Sequence, residues 1–227
     1  AGTKAGGPNY LMGLGEWEPA VAAEPGAPVR HQSAAKILAA ARSGSFDTDT
    51  DFLHRALSSD AAAWAEEFGT AKDVSALSAE RNVFRYRPLP VTIRLAENQP
   101  LTPLLRVAAA GLLAGSALRV STGVELPVAL LALLTEHGIS VTEEDDAAWL
   151  AAASSYDPAV HGPRIRLIGG GASALASALG GRPDVAVYAN PVTEAGRVEL
   201  LPFLHEQAVS ITAHRFGTPN HLSDTLI

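Results

Sequence analysis

Arg164-Ile165-Arg166-Leu167-Ile168-Gly169-Gly170-Gly171-Ala172-Ser173-Ala174 decides how the rest of the chain is read. A short apolar-rich run passes through three glycines into a segment of alanine and serine, which is the order strand, tight turn, helix. The same alternation continues outward in both directions. On the amino-terminal side, strands are expected at 83–86, 91–95, 117–121 and 139–142, with helices at 100–114, 126–136 and 145–153. On the carboxyl-terminal side, a helix at 172–179, a strand at 185–189, a helix at 194–206 and a final strand at 208–213 complete the series. Strand–helix–strand repetition with short connections dictates right-handed crossovers and a mainly parallel sheet between helix layers. The predicted fold class is therefore α/β: a Rossmann-like three-layer domain over residues 80–227.

Residues 30–79 read as a helical segment. Ala34, Ile37, Leu38 and Ala41 recur at three- and four-residue spacing, the mark of one buried helix stripe. Phe52, Leu53, Leu57, Trp64 and Phe68 form a second such pattern, ending at Gly69. Asp47, Asp49 and Asp51 precede it, where negative charge favours a helix start. Residues 1–29 are too dense in glycine and proline for a helix, and read as an extended tail with one short strand near 10–12.

Composition narrows the function. The 227 residues carry 17 Lys+Arg against 24 Asp+Glu, a net charge of −7, so the footprint of a nucleic-acid binder is missing. There is no cysteine, which removes disulfides, zinc thiolates and thiol nucleophiles together. The longest apolar stretches are interrupted by Arg106, Gly111, Gly115 or Pro127 and are too short for a bilayer span, and no signal peptide opens the chain. A soluble, cytoplasmic protein is expected. Ala1 stands first and Met12 is the one methionine, so a processed or excised chain is also expected.

The strand-to-helix turn fits G-x-G-x-x-A at Gly169, Gly171 and Ala174, the glycine pattern with which dinucleotide pyrophosphates approach a helix. The acidic residue expected about 20 positions on is misplaced: Asp184 comes too early and Glu194 too late. These three residues are thus the candidates for cofactor binding, set against a turn needed for packing alone. Asp47-Thr48-Asp49-Thr50-Asp51 begins like a calcium loop, but Phe52 takes the place of its glycine and Ser58 that of its glutamate. His205, His214 and His221 do not have zinc spacing, and no serine sits in a G-x-S-x-G elbow. Glu143-Glu144-Asp145-Asp146 reads as a solvated helix start. No catalytic residue and no metal site is expected.

Three stretches carry a family resemblance. Gly2-Thr3-Lys4-Ala5-Gly6-Gly7-Pro8-Asn9-Tyr10-Leu11 resembles the KAGGPxYL stretch near the end of the aldehyde dehydrogenase module of Δ1-pyrroline-5-carboxylate (glutamate semialdehyde) dehydrogenases, bifunctional proline utilization A proteins above all. Residues 80–88 (ERNVFRYRP) and 205–219 (HEQAVSITAHRFGTP) are similar to the C-terminal extension of actinobacterial long-form members. The resemblance implies a C-terminal domain shaped like the NAD-binding half of an aldehyde dehydrogenase.

Measured against that family, residues 84–121 resemble a degenerate NAD-cradling unit, but 120–125 (VSTGVE) lacks the lysine of V-x-K-P-[SA]. Residues 184–197 resemble the F-T-G-S-T-x-x-G-R segment, with Pro191-Val192 replacing its glycine-serine. The E-L-G-G-K motif is not found. The resemblance therefore implies a domain with no cofactor of its own in a parent using NAD, and FAD if bifunctional. Its partners would be the catalytic modules of the same polypeptide, whose channelling cavity it would cover. The alternatives are a regulatory nucleotide- or small-ligand-binding module, or a homo-oligomer formed through residues 9–12.

Overall fold

The computed structural model describes residues 29, 31–44, 46–215, 218, 219 and 221. The tail and the strand expected near 10–12 lie outside the described residues, as does the oligomer contact assigned to 9–12. Helices α1 (Gln32–Arg42) and α2 (Thr50–Ala63) come first, α2 running into a π-helical turn at Trp64–Phe68. Strand β1 (Glu80–Pro88) precedes β2 (Val91–Leu95), α3 (Leu101–Ala114), β3 (Leu118–Thr122), α4 (Val128–Glu136) and β4 (Ser140–Glu143). Then come α5 (Asp146–Ala153), α6 (Pro158–His161), β5 (Arg164–Ile168), α7 (Ala172–Ala178), β6 (Ala186–Tyr188) and α8 (Gly196–Glu199). A 3-10 turn at Leu201–Phe203 leads into β7 (Leu204–Thr212), and a short pair, β8 (His214–Arg215) and β9 (Thr218–Pro219), follows it.

Five strands form one parallel sheet in the order β4-β3-β2-β5-β6. Every residue of β2 and β5 is buried, as expected of central strands covered on both faces. Val91, Ile93 and Leu95 of β2 share a core with α1, α2, α3 and α4, so the helical segment and the sheet are packed around one interior. The opposite face, with Ile165 and Leu167, packs against Trp149 of α5 and Leu175 of α7. Helices on both faces give the Rossmann-like architecture that the alternation predicts.

The segment 194–206 departs from expectation. It is a four-residue helix and a 3-10 turn, and the last long strand already begins at Leu204. Pro202 has no N–H to continue a helix, and the buried Leu200, Leu201 and Phe203 imitate helical spacing while filling the core. That strand, β7, does not join the parallel sheet. It pairs antiparallel with β1, from Glu80↔Thr212 to Pro88↔Leu204, as a separate ribbon.

Three buried arginines tie the connection after β6 to the core. Arg106 makes a double hydrogen bond to Asp60, at 2.6 and 2.8 Å, and donates to the Thr193 carbonyl. Arg166 meets Glu199 at 2.6 and 3.1 Å, both side chains fully buried. Arg164 Nη1 donates to the carbonyls of Leu201, Pro202 and Leu204. Burial pushes the Asp60 carboxyl up to about 6 against the pull of Arg106, with the Glu199 charge adding to the rise. Burial likewise lowers Arg164.

Candidate functional site

In an open doubly wound sheet, ligands enter the crevice at the carboxyl ends of the strands where the strand order reverses. Here that point lies between β2 and β5. A cavity of about 320 Å³ opens there, lined by Arg94, Glu97, Asp146, Trp149, Gly170 and Gly171 among others.

The glycine turn reaches this crevice. Gly169 has φ +106°, and a Cβ on it would stand 2.9 Å from Ala96 Cβ and Gln99 Cγ, so close packing of two loops already requires a glycine. Gly171 has φ +94° and caps α7 with open space around it. Ala174 is exposed on α7, away from the residues that line the cavity. The three sequence candidates therefore separate: one serves packing, one the turn, and one faces outward.

Residues not singled out from sequence dominate the crevice. Arg94, wholly buried on β2, donates to Ser121 Oγ at 2.7 Å, to the Glu144 carbonyl at 3.0 Å and to Asp146 Oδ1 at 2.7 Å. Its guanidinium lies 5.4 Å from the Trp149 ring centroid. Ser121 in turn donates to Glu144 Oε1 at 2.7 Å. The Asp146 N–H donates to Glu97 Oε2 at 3.1 Å, and Asp145 accepts from the Ala148 N–H at 2.7 Å. One guanidinium thus binds the Asp146 carboxylate, and two N–H donors at the start of α5, those of Asp146 and Ala148, are engaged by Glu97 and Asp145.

A dinucleotide pyrophosphate needs free N–H donors and positive potential. The turn after β2 offers Glu97 where a glycine would admit phosphate, and Pro100 and Pro103 at the start of α3 have no N–H. The start of α3 therefore lacks the donors that such a group would use. The signal was visible in principle: an arginine inside the apolar run of β2 must find a buried partner.

A second cavity, of about 370 Å³, lies over β2, β3 and β4 beside α5, lined by Thr92, Arg119, Ser121, Ser140, Trp149 and Tyr156 among others. Burial raises the Tyr156 hydroxyl's pKa, and that hydroxyl hydrogen-bonds with Thr92 Oγ1 and the Gly162 carbonyl. Asp49 caps α2 by accepting from the Phe52 N–H at 2.9 Å, which accounts for the aspartate run as a helix start. Among the described residues, no three His, Cys, Asp or Glu side chains gather to hold a metal ion, and no helix is long and apolar enough to cross a membrane.

No protein-family model and no curated protein sequence matches the chain. Among solved structures, proline utilization A (PutA) from Corynebacterium freiburgense matches 95% of this chain at 30% identity, with a TM-score of 0.64. In sequence and fold the chain is thus similar to one region of a PutA protein. A mutant PutA from Bradyrhizobium japonicum matches 72% of the chain at 20% identity with TM-score 0.51. PutA from Bdellovibrio bacteriovorus, inactivated by N-propargylglycine, matches 70% at 16% identity with TM-score 0.50. These last two share the PutA domain's fold. The chain spans 18% of the first protein and 19% of the other two, so it corresponds to one domain's worth of a PutA polypeptide.

Proposed function

We propose that this chain is a non-catalytic C-terminal domain of a PutA polypeptide that packs on the catalytic modules and covers the cavity passing pyrroline-5-carboxylate, or its hydrolysed semialdehyde, between them. The parent would be an aldehyde dehydrogenase of proline catabolism, using NAD, and FAD where a proline dehydrogenase is also present. The observation that carries this reading is the crevice between β2 and β5, where Arg94 donates to the Asp146 carboxylate and the Asp146 N–H donates to Glu97 beside the place a cofactor phosphate would take. The sequence supports it further, since no cysteine can serve as the thiol nucleophile. A Rossmann-like fold alone implies no activity. What remains useful is its surface, and a cover keeps a reactive intermediate from bulk water.

Deleting residues 80–227 from the full-length gene product tests the role. Coupled proline-to-glutamate flux is expected to acquire a lag and to release intermediate into solution. Unchanged flux with neither effect overturns it.

One observation favours a second reading. Gly170 and Gly171 do line a cavity, so a small-ligand regulator could bind at this turn. Calorimetric titration with NAD, NADP and ATP separates the two: the regulator requires a Kd below about 100 μM, roughly −5.5 kcal/mol.

A further inference from the structure

Helix α4 reads Val128-Ala129-Leu130-Leu131-Ala132-Leu133-Leu134-Thr135-Glu136, and only Leu130 and Leu134 are buried. Val128 is 84% exposed and Leu131 38%, and Ala129, Ala132 and Thr135 are exposed beside them. The single charge, Glu136, is bound to Lys36 of α1 at 2.5 Å. A surface helix sets charged residues opposite its buried stripe; one that is apolar right round is a helix with something packed on both sides.

Two neighbouring features point the same way. Strand β4 follows α4 directly, packs against it and forms one edge of the parallel sheet, pairing with β3 alone among the described residues. Ser140, Thr142 and Glu143 are exposed along it. The face of β3 and β4 turned away from α4 lies open at the 370 Å³ cavity, with the exposed Arg119, Ser140 and Thr142 on its wall. An apolar centre, an open strand edge and a polar margin at one end of the domain are the parts of an interface.

We propose that this end of the sheet, α4 with β4, docks against the remainder of the PutA polypeptide. The occupant follows from the comparison: in the Corynebacterium freiburgense protein the matched domain is 18% of the chain, so about four fifths of that polypeptide is held beside it. Tethering keeps such a partner at millimolar effective concentration. The inference rests on the proposed function for its partner, and it names the surface that reading leaves open.

Hydrogen–deuterium exchange on the full-length gene product and on the 227-residue chain tests it. Peptides covering 128–143 are expected to exchange at least tenfold more slowly in the full-length product. Val128→Lys in that product is expected to abolish the difference, while the melting temperature of the 227-residue chain with the same substitution stays unchanged. Equal exchange in the two proteins overturns the proposal. So does a 227-residue dimer, seen by sedimentation, that Val128→Lys dissociates, because the occupant is then a second copy. A gene product no longer than this chain overturns it too. Slow exchange at 128–143 with unaltered flux on deletion of 80–227 keeps the docking surface and removes the cover role. A flux lag without slow exchange does the reverse.

Discussion

A buried arginine is tolerable only where its charge and donors are matched, and four positions here, three in the parallel sheet and Arg106 on α3, meet that demand differently. Arg94 and Arg106 use carboxylates with side-chain hydroxyl or carbonyl help, Arg166 uses Glu199 and carbonyls, and Arg164 uses carbonyls and the face of Tyr188. Removing one partner of a buried pair strands the other charge. Asp60→Leu is expected to destabilise the chain by about 3–5 kcal/mol. Adding Arg106→Met should recover part of that loss, since neither charge is then left behind, and urea denaturation of both variants measures it. A double variant as unstable as the sum of its singles would contradict the pairing. Close approach sets a second residue-scale constraint. A Cβ on Gly196 would lie 2.6 Å from the Ser59 carbonyl oxygen and 2.7 Å from Asp60 backbone atoms. Gly196→Ala is therefore expected to cost about 1–3 kcal/mol by the same measurement.

At the scale of elements, the sequence predicts much of the sheet because local pattern and burial agree. Strand β5 begins and ends where its apolar run does, and α1 buries the Ala34, Ile37, Leu38, Ala41 stripe that its spacing announces. Legibility stops where pairing is long-range or a side chain is turned inward. Strands β1 and β7 are separated by more than a hundred residues, and nothing local says that they form a ribbon outside the main sheet. The helix expected over 194–206 fails because Pro202 halts it and Glu199 turns in to Arg166. The crevice was partly legible: the glycine turn marked its position, while Asp146 read as part of a solvated helix start and Glu97 gave no signal.

The α1–α4 junction carries a pH expectation. Burial, and then the nearby His137 charge, lower His31 from 6.5. The folded chain then binds fewer protons than the unfolded one just below that value, so stability present above pH 6.5 is lost as the pH falls beneath it. The fall in thermal midpoint from pH 7 to pH 5 should be smaller in His31→Gln than in the unmodified chain. An equal fall would contradict this.

As a whole molecule, the chain keeps a Rossmann-like architecture and lines its central crevice with the Arg94–Asp146 ion pair and Glu97. The outer surface thereby gains importance over the interior, with α4 and β4 presenting one uncovered end. The most direct measurement is calorimetric titration of NAD into the 227-residue chain. No binding is predicted up to millimolar NAD, because the carboxylates of Glu97 and Asp146, which line the crevice between β2 and β5, oppose a phosphate there. Saturable binding tighter than about 100 μM that Gly171→Asp abolishes would contradict the account.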